Sequence, residues 1–326
     1  MKLRNLLLSI TLTAFFTSVN AQEQTDFKQS GHATVKVFTN FHSAFDGPKA
    51  HNAFEIQRAY FGYSFNLSEK FSAKVLLDVG DPGVGKLQMT AYLKNAYLQY
   101  KSGKFTTKFG LIGLAQFDLQ EGLWGNRYLY KSFQDEHKFG SSADLGAFAS
   151  YKFNSIISVD ATIANGEGYK SLENDSVLKY SLGATINPLK GLTFRAYYDM
   201  MGNSNSQNSL SLFLGYSREK FNIGAEYALQ TNNKMKTDHD MSGISVFSSY
   251  KIKKVRLFAR YDQLTSTKIG AATNAWNANS DGEAIIGGIE FAPIKGVKIA
   301  PNYQVWMPAN GGPAENIVYL SLEIKI

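Results

Sequence analysis

Residues 316–326 read NIVYLSLEIKI, and apolar and polar side chains alternate along this stretch. Side chains of an extended strand point to opposite faces with a period of two. The apolar face of this segment carries Val318, Leu320, Leu322, Ile324 and Ile326. The polar face carries Tyr319, Ser321, Glu323 and Lys325. The stretch therefore predicts a β-strand with one apolar and one polar face.

The same alternation recurs in sixteen segments, from 33–41 to 316–326. Each is close to the roughly 9–11 residues that a tilted strand needs to cross hydrocarbon. Short polar turns alternate with long connections, and aromatic side chains on the apolar face cluster near the short turns. This pattern is typical of outer-membrane barrels. The long connections are 42–54, 80–88, 113–142, 166–176, 202–207, 231–240, 265–281 and 307–315.

Backbone pairing decides how such strands are arranged. In hydrocarbon every backbone N–H and C=O needs a partner within the protein, so the first and last strands must pair. We predict an all-β fold, a closed antiparallel transmembrane β-barrel of about 16 strands around an aqueous lumen. On this pattern Leu212→Arg on the lipid face is costly, whereas Ser211→Arg on the lumen face is tolerated.

The first residues predict export. A basic start, a short apolar run and Val19-Asn20-Ala21 are typical of a signal peptide, which we place at 1–21. A short N-terminal segment, 22–32, then precedes the barrel at 33–326. The barrel and the signal together predict the cell outer membrane of a Gram-negative bacterium.

Composition excludes several kinds of chemistry. The net charge of +7 is dispersed and includes no run of like charges, so we expect no nucleic-acid partner. The chain has no cysteine, and its five histidines lack metal-ligand spacing. Residues 80–86 imitate a phosphate-binding loop, but Leu87 stands where that motif requires Ser or Thr. We therefore assign no catalytic residue, no metal site and no cofactor, and we do not expect an enzyme.

The longest connection, 113–142, is the third on its side of the barrel. In a sixteen-stranded barrel this loop commonly folds inward and narrows the pore, and a mixture of charges suits such a constriction. The alternative is a solvated surface loop. The candidate constriction residues are Asp118, Glu121, Arg127 and Lys131.

Charged residues on the polar faces of the strands are the candidate pore lining. Basic residues are in excess there, which predicts a weak anion preference because a lumen focuses the field of its wall. The alternative is that these charges pair across strands and only hold the wall together. The pore-lining candidates are Arg58, Lys74, Arg195, Arg256, Arg260 and Asp262.

Two hairpins carry a family resemblance. Residues 54–62 and 67–74, followed by 93–100 and 108–111, resemble the opening hairpins of the phosphate-selective porins of Gram-negative outer membranes. The resemblance implies a sixteen-stranded, trimeric porin. Members with phosphate selectivity line the pore with an arginine ladder. The inward candidates for such a ladder in this chain are Arg58, Arg195, Arg256 and Arg260.

We interpret the sequence as an outer-membrane porin for passive diffusion of small hydrophilic solutes or ions. Its expected partners are outer-membrane lipid, small hydrophilic solutes or anions, and further copies of itself in a homo-oligomer, a trimer. Two alternatives remain open at this point. One is a barrel whose loops bind a ligand or a surface partner, and the other is a barrel hydrolase.

Overall fold

The computed structural model describes residues 27–46, 49–82, 89–202 and 205–326. Within them the chain forms one closed antiparallel barrel of strands β1 to β16. In chain order the strands are Ser30–Asp46, Lys49–Asn66, Phe71–Gly80, Thr90–Ser102, Phe105–Gly113, Ala143–Lys152, Ile157–Ala164, Lys179–Leu189, Leu192–Met201, Gln207–Arg218, Phe221–Thr231, Met241–Ile252, Val255–Ser266, Gly282–Phe291, Val297–Pro308 and Glu315–Lys325. Two short helices, α1 (Asp118–Trp124) and α2 (Phe133–Glu136), lie between β5 and β6.

The last strand closes the barrel on the first. β16 pairs with β1 in a continuous register, from Lys36 opposite Lys325 to Phe45 opposite Asn316. The Ile326 N–H donates to the Val35 carbonyl at 3.0 Å. Each of the sixteen described strands has a paired neighbour on both sides, which a hydrocarbon environment requires. The predicted closed barrel is confirmed.

The outer face of the wall is apolar. Side chains such as Val75, Leu212 and Leu320 are about half exposed, at 45%, 47% and 51%. A continuous band of exposed large apolar side chains in water would be an aggregation surface, so lipid is its natural environment. Aromatic rings pack together near the short turns, with centroids 5.0 Å apart for Phe71 and Tyr100. Such rings suit the headgroup level of a membrane.

The first outer hairpin differs from the prediction. The segment 42–54 is not a loop, because β1 continues to Asp46 and β2 starts at Lys49, directly opposite it. A β-bulge between Phe38 and Thr39 shifts the register, after which backbone pairing simply continues. Strand β1 also begins at Ser30, slightly before the predicted start at 33. Beyond this bulge the apolar side chains move from odd to even positions, or the reverse, along one strand of the pair. The outer half of the hairpin therefore does not continue the alternation of the inner half.

Some predictions fall outside the described residues. The signal peptide at 1–21 and the start of the segment 22–32 are among them, as is most of the glycine-rich stretch 80–86. In the part of the chain that the structure describes, no helix is long and apolar enough to cross a membrane.

Candidate functional site

The segment 114–142, which we call the third loop, lies inside the barrel against its far wall. It leaves β5 and returns to β6, yet Trp124 packs on Phe247 and Phe258 of β12 and β13. The ring centroids are 5.5 Å and 6.0 Å apart, respectively. Phe213 of β10 completes this apolar cluster. The loop thus explains why these inward positions carry phenylalanine, where the alternation requires polar side chains.

Buried hydrogen bonds fix the third loop to the same wall. The side-chain amides of Gln120 and Gln134 both donate to Ser211 Oγ and to the carboxylate of Glu226. The Tyr128 hydroxyl donates to Glu290 at 3.0 Å. Losing one partner of a buried hydrogen bond costs about 1–3 kcal/mol, so these contacts hold the loop in one place. The expected tolerance of Ser211→Arg is wrong, because Ser211 is covered by the loop.

Most of the predicted pore-lining charges lie in ion pairs. Arg195 pairs with Asp160 at 2.7 Å, Arg256 with Glu290 at 2.7 Å, Arg260 with Asp262 at 2.6 Å and Arg58 with Asp78 at 3.2 Å. Arg195, Arg256 and Arg260 also donate to the third loop, at Ala115, Asn126 and Lys131 respectively. Three of these four arginines therefore help to seat the loop.

The open part of the lumen lies on the other side of the third loop. A cavity of about 640 Å³ separates the loop from β1 to β5. The start of β15 and the end of β16, which pair with each other, lie at its margin. Lys74 alone of the predicted pore-lining residues contributes to its wall. The lysines around the cavity are Lys36, Lys74, Lys94, Lys108, Lys298 and Lys325.

The lysines differ in how far their charge is neutralised. Lys298 lies 3.2 Å from Glu323 and 3.6 Å from Glu290. Within the described residues, no carboxylate lies within ion-pair distance of Lys36, Lys74, Lys94 or Lys108, which stand on β1, β3, β4 and β5. The wall of β1 to β5 is therefore a surface of uncompensated positive charge.

The third loop contributes the opposite edge of the cavity. Asp118, Glu121 and Arg127, which are predicted constriction residues, line it. Arg127 pairs with Glu121 and with Asp135, at 3.2 Å in each case. Lys131, the remaining predicted constriction residue, is not on this cavity and pairs with Glu136 at 3.5 Å.

One carboxyl group of the third loop holds its proton to a higher pH than an ordinary glutamate. Burial raises the pKa of the Glu121 carboxyl, and the nearby Asp135 raises it further, whereas Arg127 opposes the shift. The carboxyl therefore loses its charge at a higher pH than an ordinary glutamate. Acidification consequently reduces the negative charge at this edge of the cavity, whereas it favours the charged form of the lysines.

Lys94 is the residue that alternation alone misses. In β4 it lies on the parity of the lipid-facing Leu98, but a bulge in the pairing with β3 leaves it unpaired and turns it inward. Its Nζ is 5.1 Å from the ring centroid of Tyr60 and 5.4 Å from that of Tyr169. A signal was present in the sequence, because one apolar residue at an odd position, Leu93, and one at an even position, Leu98, both face lipid on the same strand.

Metal-ligating side chains are sparse in the described chain. The carboxylates of Glu167, Glu173 and Asp175 in one outer loop lie within 4.8 Å of one another. Glu173 and Asp175 are exposed and accept backbone hydrogen bonds from Ser176 and Val177. Exposed acidic clusters of this kind are common on protein surfaces, and the arrangement by itself indicates no cofactor.

Comparison with known proteins matches the chain to solved barrel structures. No protein-family model matches it, and no curated protein matches it. OmpF of Salmonella typhi is 12% identical, with 91% of this chain and 97% of that chain covered and a TM-score of 0.69. The outer-membrane channel DcaP of Acinetobacter baumannii is 11% identical, with 94% and 100% covered and a TM-score of 0.64. The trimer form of OmpT of Vibrio cholerae is 13% identical, with 92% and 100% covered and a TM-score of 0.59.

At these identities the likeness shows the fold. It does not single out the phosphate-selective family. The closed barrel, its apolar outer face and these solved structures are together consistent with the outer membrane.

Proposed function

We propose that this chain is an outer-membrane porin through which small hydrophilic solutes and ions diffuse down their gradients, with a preference for anions. The single observation that carries the proposal is the open cavity between the third loop and a wall of unpaired lysines. A sixteen-stranded barrel has a lumen that wall side chains cannot fill, and a loop that covers only one side leaves an aqueous path along the other.

The charge distribution supports the preference for anions. Among the described residues, Lys36, Lys74, Lys94 and Lys108 lie along the open path with no carboxylate within ion-pair distance. The acids that line the same cavity are fewer than its basic residues; they are Asp118, Glu121 and Glu323. The low-dielectric wall focuses the field of these lysines into the lumen. An anion is therefore stabilised along the path more than a cation of the same size, which is how rings of charged side chains select ions.

The arginine pairs have a different role in this proposal. Arg195, Arg256 and Arg260 are neutralised by their partners and covered by the third loop. They therefore stabilise the wall and contribute little to the electrostatic field in the lumen. Selectivity resides with the lysines of β1 to β5, and Arg127 with Glu121 forms the narrow edge. The preferred solutes in this proposal are small anions in general.

The porin proposal includes a homotrimer in outer-membrane lipid. The apolar outer face provides the surface for lipid and for neighbouring copies, and one solved structure of the same fold is a trimer form. Cross-linking of the protein in lipid vesicles tests the oligomer number directly.

The chain is proposed to act without covalent chemistry. In the part that the structure describes, the His42 ring contacts Asn40 and the His239 ring contacts the Thr237 carbonyl. His137 Nε2 is buried without a partner. None of these three side chains forms the serine–histidine pair that a barrel hydrolase needs, so we prefer a channel to that alternative.

Conductance in a planar bilayer tests the proposed function. We expect discrete single-channel steps from the purified protein and, in a gradient of KCl, a reversal potential on the chloride side. A heat-denatured sample of the same preparation is the control for detergent leakage. Complete absence of steps contradicts the channel, whereas steps with a potassium-side reversal potential contradict only the anion preference.

A further inference from the structure

A second cavity lies on the outer side of the third loop. Its volume is about 540 Å³, and it is enclosed by the later part of that loop, by the outer ends of β12 to β16 and by the connection between β13 and β14. It shares no lining residue with the lysine-lined cavity. We call it the outer chamber, and the porin proposal gives it no role.

Aromatic rings form much of the wall of the outer chamber. Tyr130 comes from the third loop, Trp276 from the β13–β14 connection, Trp306 from β15 and Tyr319 from β16. All four side chains are half-buried, so each ring is packed on one side and accessible on the other. The His137 ring lies 5.8 Å from that of Trp306 and supports it from the loop.

Polar atoms without a protein partner are carried by the same rings. Among the described residues, nothing accepts a hydrogen bond from Trp306 Nε1, and the hydroxyls of Tyr130 and Tyr319 likewise have no partner. The side-chain amide of Gln304 donates to the Leu129 carbonyl, and its oxygen is left to accept. A half-buried ring with an unused polar atom is suited to a ligand that has both C–H faces and hydroxyl groups.

Charge in the outer chamber is balanced. Glu136 and Glu315 are matched by Lys138 and Lys234 around the wall. Burial lowers the pKa of His137, with Arg260 and Lys131 adding to the effect against Asp262 and Glu136, so its ring is neutral at neutral pH. An ionic ligand gains little from such a wall, whereas a purely apolar ligand would leave the ring hydroxyls and the indole N–H without partners.

We infer that the outer chamber is a binding site for a neutral saccharide of one or two rings. The C–H face of a sugar ring would lie on Trp306 or Trp276, and its hydroxyls would meet Tyr130, Tyr319 and Gln304. The volume falls within the range of about 300–1,000 Å³ that is usual for small-molecule sites. The inference rests on the proposed function only because a channel open to the outside would bring sugars to this chamber.

Titration with maltose tests the saccharide site. Binding is followed by calorimetry in a detergent without a sugar headgroup, and mannitol, a polyol without a ring face, is the control ligand. We expect saturable binding of maltose, and we expect Trp306→Ala to weaken it about tenfold because it removes one stacking face. Tyr319→Phe removes only a hydroxyl, so it tests the site without disturbing the packing.

A matched control is available on the opposite wall. Tyr92 packs against Lys170 and does not line the outer chamber, so Tyr92→Phe should leave maltose binding unchanged. Equal affinity in the wild type and in folded Trp306→Ala and Tyr319→Phe would overturn the inference, as would no saturable binding by a wild type that conducts ions. Lack of conductance in a protein that binds maltose would instead overturn the porin proposal.

Discussion

Replacing Lys94 by glutamine should lower the preference of the pore for anions. Lys94 is turned inward by the β4 bulge, at the rings of Tyr60 and Tyr169, and it has no ion-pair partner among the described residues. The substitution removes one positive charge from the narrow part of the path. It keeps most of the length and much of the polarity of the side chain, so the wall should fold as before.

The expected size of the effect follows from Coulomb's law. An anion that passes about 6 Å from the ammonium group in water gains about 0.7 kcal/mol, and a cation at the same place loses as much. Their relative permeability therefore changes by about 1.4 kcal/mol, which is roughly tenfold. Screening over a Debye length of about 10 Å at 0.1 M salt reduces this, and at 1 M, where the length is about 3 Å, little remains. The chloride-to-potassium permeability ratio should therefore fall by up to about tenfold in dilute salt and hardly at all in concentrated salt.

Reversal potentials at several salt concentrations provide the assay. Lys104→Gln is the matched control, since Lys104 lies in an exposed turn and hydrogen-bonds the Phe153 carbonyl. That variant should leave the permeability ratio unchanged. An unchanged ratio in Lys94→Gln at low salt, or an equal fall in both variants, would refute the assignment of Lys94 to the path.

Three further predictions follow from the wall and the third loop. Leu212→Arg should lower the free energy of unfolding by about 2–4 kcal/mol if the position is at mid-membrane, as measured by urea titration in lipid, and a loss no larger than that of Leu212→Ala would count against a lipid-facing site. Glu226→Ala deprives Gln120 and Gln134 of their charged acceptor and leaves them only Ser211 Oγ on this wall, so the loop should loosen and single-channel current should become noisy; quiet steps would argue against this anchor. Burial lowers the pKa of His137, so the folded state binds fewer protons than the unfolded chain, and stability should fall as the pH drops below about 6.5. His137→Gln should flatten that dependence, and an equally steep curve in this variant would show that another group is responsible.

The architecture was accessible from the sequence because it depends on a repeated local pattern. Alternation such as that of 316–326 indicates which side of a strand meets lipid, and the short turns indicate which strands pair with each other. These constraints are enough to predict the closed barrel and the pairing of its ends. The outer half of the first hairpin was predicted wrongly because the bulge beside Phe38 changes the parity.

The candidate site was less accessible because it depends on contacts between distant segments. Alternation placed Arg256 and Arg260 on the inner face, but it could not indicate that Trp124 and Asn126 of the third loop would cover them. Lys94 was missed because a bulge reverses the direction of a side chain without any change in composition. The phenylalanines on the inner face were the one sequence signal that something packs there.

Cysteine accessibility on β3 tests the central claim most directly, because the chain has no cysteine of its own. Lys74 lines the open cavity, whereas its neighbour Val75 faces outward. A charged, water-soluble thiol reagent should react with Lys74→Cys in a bilayer and change its current within the lifetime of the recording. It should leave Val75→Cys unreacted because lipid covers that position. Equal labelling of the two positions, or faster labelling at Val75→Cys, would contradict a barrel with water inside and lipid outside.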